Sequence, residues 1–197
     1  MRKVLLLTSV ACLMATSSAF AFNPYVAAKA KYALTRDEIK AKGVRPIDGT
    51  YKDNVWGGSV ALGGRNGNFR MEAEYTQNAE AKDKYVQVKT QALLFNLYYD
   101  IPSNPDIPFK PYIGGGVGIG HVDFDAGAFS KKDVGEAVHI GGGVNYKLSE
   151  HTYLDLGYRY IAYDDFDKEY RIAGYRYEKI EYRPHAHEIM LGVRYEF

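Results

Sequence analysis

The stretch EIMLGVRYEF, Glu188 to Phe197, shows what kind of fold this chain adopts. Every second residue is apolar or aromatic, and these residues form one row. The other row consists of charged residues, a glycine and a methionine. The first row consists of Ile189, Leu191, Val193, Tyr195 and Phe197. A period of two is typical of a strand with one face in an apolar medium. The apolar row is unbroken up to Phe197. The question is whether this row contacts a second sheet or lipid.

The start of the chain has the features of a secretory signal peptide. Arg2 and Lys3 precede an apolar run from Val4 to about Ala15, and the A-x-A site Ala19-Phe20-Ala21 follows. We therefore expect residues 1–21 to be a cleaved signal peptide and residues 22–197 to be a single domain. An alternative is a lipoprotein signal with Cys12 as the acylated residue, because Ser9-Val10-Ala11-Cys12 loosely resembles a lipobox.

The composition of residues 22–197 narrows the class of protein. Cys12 is the only cysteine, so this part has none, and packing or a membrane must stabilise it without disulfides. Removing Arg2 and Lys3 leaves 25 − 2 = 23 basic residues against 24 acidic ones, a net charge of about −1. This balance argues against a nucleic-acid partner. No stretch reaches the length of apolar sequence that a transmembrane helix needs.

Alternation recurs along the rest of the chain and predicts eight strands. Helical periodicity is scarce, and only TRDEIKAKG (Thr35 to Gly43) is a candidate for a turn or two of helix. An even number of strands is what single-chain bacterial outer-membrane barrels have. The alternating segments are residues 24–34, 55–64, 69–76, 93–100, 111–120, 138–148, 153–160 and 188–197.

The connections between these segments alternate in length. Short turns are predicted at GRNGN (64–68), DIPSNPDIP (100–108) and SEHT (149–152). The other connections are mostly longer and more charged, and they run over residues 36–53, 77–84, 123–135 and 162–183. Short periplasmic turns and long external loops are characteristic of transmembrane barrels. Aromatic residues are predicted at both rims: Phe69, Tyr99, Tyr146, Tyr195 and Phe197 at the periplasmic rim, and Tyr32, Trp56, Tyr75 and Tyr160 at the outer one.

The polar faces of the strands carry both signs of charge. In an eight-stranded barrel the interior is only wide enough for side chains, so these charges would pair inside it. In a soluble β-sandwich, the alternative, they would face water and the apolar faces would meet a second sheet. Closure into a barrel removes the sheet edges that lipid cannot accommodate. The predicted lumen network consists of Lys29, Lys31, Arg70, Glu72, Glu74, Asp155, Arg159, Glu188 and Arg194, and Glu196 shares this face.

Several of these segments resemble the opacity-type, OmpA-like family of eight-stranded outer-membrane proteins. The resemblance rests on PYIGGGVGIG after a proline-bearing turn, LLFNLYYD as the fourth strand, LDLGYRY as the seventh and HEIMLGVRYEF as the last. It implies an all-β, up-and-down antiparallel barrel in the outer membrane of a Gram-negative type cell. It also implies contact with outer-membrane lipid and lipopolysaccharide, with periplasmic chaperones and with the outer-membrane assembly machinery. That machinery would read the terminal aromatics Tyr195 and Phe197 as its signal.

We find no strong signature of a cofactor, metal or catalytic site. IGGGVGIG lacks the glycine spacing of a nucleotide-binding loop, and no helix follows it. His185, His187 and the neighbouring Glu188 offer too few metal ligands, and DFDAG (123–127) lacks the remaining ligands of a calcium loop. A lipid-modifying enzyme of the outer leaflet is an alternative, but no convincing nucleophile accompanies His121 and His187. We therefore expect no enzyme, no metal and no cofactor.

The last long connection is the candidate surface for partners. It interleaves aromatic residues with both signs of charge, and tyrosine-rich exposed segments favour protein contacts. The alternative is a decorated hairpin formed by extension of the last two strands. We expect a monomeric surface protein that acts through its loops, as an adhesin or antigen that contacts host or surface proteins, and that supports envelope integrity; a narrow porin-like channel is the alternative. The aromatic residues are Tyr163, Phe166, Tyr170, Tyr175, Tyr177 and Tyr182.

Overall fold

The computed structural model describes residues 22–41, 47–79, 81–83, 86–104, 107–125, 130–163, 168–172 and 175–197. These residues form ten strands. No helix among them is long and apolar enough to cross a membrane. The predicted signal peptide and Phe166 lie outside the described residues, so residues 1–21 remain a prediction. The strands are β1 (Asn23–Ala41), β2 (Ile47–Asn66), β3 (Phe69–Asn78), β4 (Ala81–Asp83), β5 (Val86–Asp100), β6 (Phe109–Asp125), β7 (Ser130–Lys147), β8 (Thr152–Tyr163), β9 (Lys168–Ile172) and β10 (Tyr175–Glu196).

Eight of the described strands close into an antiparallel barrel. Each long strand pairs with its neighbour along the chain, in the order β1-β2-β3-β5-β6-β7-β8-β10, and β10 pairs back onto β1. The closing ladder places Tyr25 opposite Glu196 and Tyr32 opposite Ile189. This closure confirms the predicted fold class and excludes the β-sandwich. The two short strands β4 and β9 pair with β5 and β10 respectively.

The connections at one end of the barrel are short. β2 and β3 are joined by Gly67 and Asn68, and Gly67 has a φ of 57°, in the left-handed region that glycine adopts without a Cβ penalty. Residues 148–151 join β7 to β8, where the backbone N–H of Leu148 donates to the carbonyl of Thr152 at 2.9 Å. Both ends of the described chain lie here, since the N–H of Phe197 donates to the carbonyl of Pro24 at 3.0 Å. This is the end predicted to face the periplasm.

At the other end the strands continue much further than the sequence predicted. β1 runs to Ala41, so the predicted helical turn at Thr35–Gly43 is wrong for the described residues 35–41. Glu38 lies opposite Thr50 of β2 and Arg183 of β10, so pairing on both sides satisfies backbone groups that a helix would otherwise satisfy internally. Much of the four predicted long connections is likewise strand. For the last connection, this matches the alternative of a decorated hairpin formed by extension of the last two strands.

Side chains alternate between the outer wall and the lumen as the sequence predicted. Trp56, Leu62 and Ile140 are 65%, 69% and 69% exposed on the wall. The lumen-facing Lys31, Glu74 and Arg159 are at most 3% exposed. A soluble fold would bury the first set and expose the second. The inverted distribution is the one that a lipid environment requires, because the apolar wall then contacts acyl chains.

Aromatic side chains form contacts at both ends of the wall. At the short-turn end, Phe69 packs on Tyr99 with ring centroids 5.1 Å apart, and Phe109 packs on Tyr146 at 5.0 Å. At the other end, Tyr32 packs on Trp56 at 4.9 Å. Amphipathic rings of this kind favour the two membrane–water interfaces. The wall between them is therefore the membrane-spanning band.

Candidate functional site

The middle of the lumen contains a continuous chain of ion pairs. The Nζ of Lys29 lies 2.5 Å from Glu72 and 3.2 Å from Glu74. Glu74 also accepts from Arg159 Nη1 at 3.0 Å. Arg159 continues to Glu188, which lies 3.0 Å from the ammonium of Lys31. The chain of charges thus ties β1, β3, β8 and β10 together across the barrel.

A second group of charges lies nearer the short-turn end. Arg70 bonds Asp100, with Nη2 2.9 Å from Oδ1, and Asn145 donates to the same oxygen at 3.0 Å. Arg194 contacts Asp155 at 3.3 Å and pairs with Glu196. Glu196 also lies 3.3 Å from Arg65 Nη1. These pairs close the mouth of the lumen at the short-turn end.

The charges in the lumen balance. Among the described residues, the ion pairs join six cations with six carboxylates, so the network carries no formal net charge. Such pairing is what allows charges to be buried, because an unpaired ion in a low-dielectric interior is very costly. The cations are Lys29, Lys31, Arg65, Arg70, Arg159 and Arg194, and the carboxylates are Glu72, Glu74, Asp100, Asp155, Glu188 and Glu196.

Glycines make the space that these long side chains occupy. A Cβ on Gly63 would lie 2.3 Å from the ring of Tyr25, and a Cβ on Gly114 would lie 2.3 Å from the ring of Tyr98. A Cβ on Gly116 would lie 2.4 Å from Asn96 Oδ1. The glycine-rich segments of β6 and β7 therefore serve packing. This geometry agrees with the sequence argument against a nucleotide-binding loop.

Aromatic rings and an apolar layer complete the filling. The guanidinium of Arg70 lies 4.9 Å from the ring centroid of Tyr112, and that of Arg194 lies 4.4 Å from that of Tyr153. Towards the outer end, a cluster of buried apolar side chains follows the ion pairs, consisting of Ala92, Leu94, Ala137, Ile161 and Ala186. A lumen cavity beside Arg70 and Tyr112 has a volume of only about 10 Å³, room for about one water molecule.

Each of the nine residues predicted for the lumen network faces the lumen, and each is fully or largely buried. The sequence reasoning missed their polar partners. Asn96 donates to Glu72 at 3.0 Å and to Glu74 at 2.8 Å, and its Oδ1 lies 2.7 Å from His139 Nε2. Asp100 was missed as well. Continuing the alternation of β5 through Leu94, Asn96 and Tyr98 would have placed Asp100 in the lumen.

The residues predicted for a partner-binding loop separate in the structure. Tyr163 lies at the end of β8 on the inward face, packs against the buried apolar cluster and has its ring beside Gly120. It differs from the expected exposed loop residue because it shares the parity of the buried Ile161. The backbone of Tyr177 pairs with Tyr170 of β9, Tyr175 pairs with Ile172, and Tyr182 pairs with Ile39 of β1. Tyr170, Tyr175 and Tyr177 thus lie in the β9–β10 hairpin, whereas Tyr182 lies in the part of β10 that pairs with β1.

Among the residues that the structure describes, no group of three or more His, Cys, Asp or Glu could hold a metal ion. His185 and His187 lie on the outer wall, with ring centroids 6.5 Å apart. Glu188 points to the opposite face, into the lumen, where it pairs with Lys31 and Arg159. The two histidines and this carboxylate are therefore not neighbours in space.

The family model described as "Outer membrane protein beta-barrel domain" matches residues 4–197. The chain belongs to the outer membrane protein beta-barrel domain family. This confirms the resemblance seen in the sequence, and it places the barrel in the outer membrane of a Gram-negative cell. The barrel is also similar to uncharacterized proteins of Brucella abortus and Brucella melitensis, with 30% identity over 131 residues. That alignment covers 52% of this chain and 45% of each relative, so the match spans less than half of the relatives' length.

Solved outer-membrane barrels share the fold of this family member. Neisserial surface protein A has a TM-score of 0.61 and 21% identity, with 88% of this chain and 97% of that chain covered. Outer membrane protein H (OprH) from P. aeruginosa has a TM-score of 0.56 and 21% identity, with 89% and 99% covered. OprG from Pseudomonas aeruginosa has a TM-score of 0.53 and 16% identity, with 90% and 97% covered. Identities this low establish the architecture alone.

Proposed function

We propose that this outer-membrane barrel is a monomeric surface protein that acts through its outer hairpins, as an adhesin or antigen, and that its barrel adds to envelope integrity. The observation that carries the proposal is the contrast between the two parts of the molecule. The lumen is filled with side chains, whereas the strands continue past the outer aromatic residues. β10 alone begins at Tyr175, ten residues before His185 on the wall.

The filled lumen argues against the channel alternative. Eight strands leave an interior about as wide as the side chains that fill it. Here ion pairs cross the lumen at two levels, and an apolar layer lies beyond them. A solute would have to separate several buried ion pairs to pass.

A role by contact is also favoured over catalysis. The charged side chains of the lumen form ion pairs with one another and are buried, so they do not face solvent at either end of the barrel. The hairpins, by contrast, carry tyrosines and both signs of charge in sequence, a composition suited to protein recognition. The partner in this proposal is a protein of a host cell or of another surface.

The test removes the last outer hairpin and keeps the barrel. In the trimmed variant, a short Asn-Gly turn replaces residues 164–184 and joins Tyr163 to His185. The two strands already run side by side at this point, because His185 of β10 pairs with Ala162 of β8. We expect this variant to fold, with the same heat-dependent shift on gels, and to lose attachment of expressing cells to host cells. Undiminished attachment by the trimmed variant, at equal surface levels, would count against this hairpin as the contact surface.

We also expect the purified protein to show little or no ion conductance in a planar bilayer. The reason is the neutral lumen, which the described side chains fill with ion pairs at two levels and an apolar layer. Single-channel recordings at several voltages measure this directly. Large, stable conductance steps that persist after repeated purification would instead support the channel alternative.

A further inference from the structure

Four polar rings form a cluster on the outer wall where β8 meets β10. The hydroxyl of Tyr158 lies 2.6 Å from Nδ1 of His187. The ring centroid of Tyr160 lies 5.1 Å from that of His187 and 5.8 Å from that of His185. These four side chains all point away from the lumen. Among the described residues, the ion pairs of the lumen network do not include these four side chains.

The position of the cluster along the barrel corresponds to the outer membrane interface. Tyr195, at the rim of the short-turn end, follows His187 of the cluster by eight residues on β10, about 27 Å of strand at 3.4 Å per residue. With a strand tilt of about 40°, this is about 20 Å along the membrane normal. The apolar band of such a barrel is about 25 Å tall, so His187 lies near its outer edge. Headgroups of the outer leaflet lie within reach of this level.

The rest of this wall is apolar. Leu156, Ile189, Leu191 and Val193 cover the same two strands between the cluster and the periplasmic rim. Polar groups that face lipid are costly unless they are hydrogen-bonded. The bond between Tyr158 and His187 satisfies one group on each ring. The Nε2 of His187, the two ring nitrogens of His185 and the Tyr160 hydroxyl lie at the depth of the polar headgroups.

The geometry disfavours a metal ion between the two histidines. A ring centroid lies about 3.2 Å from a metal bound by that ring at about 2.1 Å, so a shared ion needs centroids about 5–6 Å apart. The observed separation is 6.5 Å, and the rings meet edge to face. The Nδ1 of His187 is also occupied by Tyr158. The cluster is better suited to a ligand that accepts hydrogen bonds and is larger than a single ion.

We propose that the cluster of Tyr158, Tyr160, His185 and His187 binds a phosphate group carried by a glycolipid of the outer leaflet. In the tautomer of His187 whose Nδ1 accepts from the Tyr158 hydroxyl, the ring proton is on Nε2, which can donate to a phosphate oxygen. His185 and the Tyr160 hydroxyl add further donors beside it. In the strand register His185 lies opposite Arg36 of β1. Phosphate offers several strong acceptors to such a set of donors.

The experiment compares binding of two glycolipids that differ only in phosphate. The purified barrel in detergent is titrated with bis-phosphorylated lipid A and with its dephosphorylated form, and binding is followed by native mass spectrometry. We expect the wild type to bind the phosphorylated form about tenfold more tightly, the gain expected from one or two hydrogen bonds to a charged acceptor. The His185→Gln/His187→Gln variant should lose this preference.

His151 supplies the matched control. It is a histidine on the same side of the barrel at the periplasmic end, where its ring packs near Tyr195 at 5.8 Å. The His151→Gln variant should keep the full preference for the phosphorylated lipid. Equal affinity of the wild type for both lipids, or a preference that survives in the double variant, would overturn the proposal.

A competition arm separates a lipid phosphate from free phosphate. Inorganic phosphate at about 1 mM should not displace the glycolipid, because the acyl chains contribute binding on the apolar wall. Displacement by inorganic phosphate in this range would overturn the assignment to a lipid. The proposal depends only on the membrane position of the barrel, so loss of the adhesive function in the hairpin test leaves it intact.

Discussion

Replacing Arg159 by Ala should lower the free energy of unfolding by about 3–5 kcal/mol, because it removes one partner from a buried network. Arg159 contacts both Glu74 and Glu188, and all three side chains are at most 1% exposed. Without the guanidinium, the negative charges of Glu74 and Glu188 repel each other and lose one of the cations that neutralise them. Urea unfolding of the barrel in lipid vesicles measures the change. Fluorescence of Trp56, the only tryptophan, reports unfolding, because the ring leaves the lipid-facing wall and enters water.

Three further variants separate charge from packing. Arg159→Met keeps the length of the side chain and should be nearly as harmful as Arg159→Ala. Adding Glu188→Gln to Arg159→Met should recover part of the loss, because removing one carboxylate returns the network to zero formal net charge. Lys147→Ala, at an exposed position near the periplasmic turn, should change the free energy by less than about 0.5 kcal/mol. If Arg159→Ala and Lys147→Ala unfold alike, the ion pairs do not stabilise the barrel.

Replacing Phe197 by Ala should strongly reduce the amount of protein in the outer membrane of growing cells and leave aggregates in the periplasm. We propose that this terminal aromatic, with Tyr195, is read by the assembly machinery. The ring of Phe197 is 67% exposed and meets Tyr195 with centroids 5.3 Å apart, so it contributes little to the packing of the finished barrel. Quantitative blots of membrane and periplasmic fractions give the result.

The finished barrel should tolerate the same change. Refolded into lipid vesicles, Phe197→Ala should lose no more than about 1.5–3 kcal/mol, the value of burying one such ring fully. Phe109→Ala is the matched control, since Phe109 is a rim aromatic of similar exposure within the chain. It should cost a similar amount in vesicles and leave membrane levels in cells unchanged. Equal levels of Phe197→Ala and wild type in cells would refute the role proposed for Phe197.

The strand alternation, together with the alternating lengths of the connections and the charges on the polar faces, was enough to predict the barrel. In the stretch from Ile189 to Phe197, the row Ile189, Leu191, Val193, Tyr195 and Phe197 lies on the wall, and the residues between them, including Met190, lie in the lumen, because the pleat has a period of two. A slip of one residue would exchange the two faces, so the register has little freedom. The same argument placed Lys29, Glu74 and Arg159 inside. It could not say which charges pair, since partners such as Glu74 and Arg159 are 85 residues apart.

The outer ends of the strands were harder to predict. The segment from Thr35 to Ala41 has no clean alternation, and its charges resemble a loop or a helical turn. Its conformation depends on pairing with β2 on one side and β10 on the other, and β10 is more than 130 residues away. Local sequence holds no information about such partners. The same limit applies to the outer hairpin that begins after Tyr163.

The central claim is that the hairpins face the outside of the cell and the short turns face the periplasm, and cysteine labelling of intact cells tests it most directly. Cys12 is the only native cysteine and lies in the predicted signal peptide, so single-cysteine variants of the barrel have a clear background. The variants are Lys82→Cys in β4 and Asp48→Cys in β2 at the outer end, and Asn68→Cys and Glu150→Cys at the short turns. A membrane-impermeant maleimide should label the first two in intact cells, and the last two only after permeabilisation. Labelling of Asn68→Cys or Glu150→Cys in intact cells, with Lys82→Cys and Asp48→Cys protected, would contradict the orientation and the proposed function built on it.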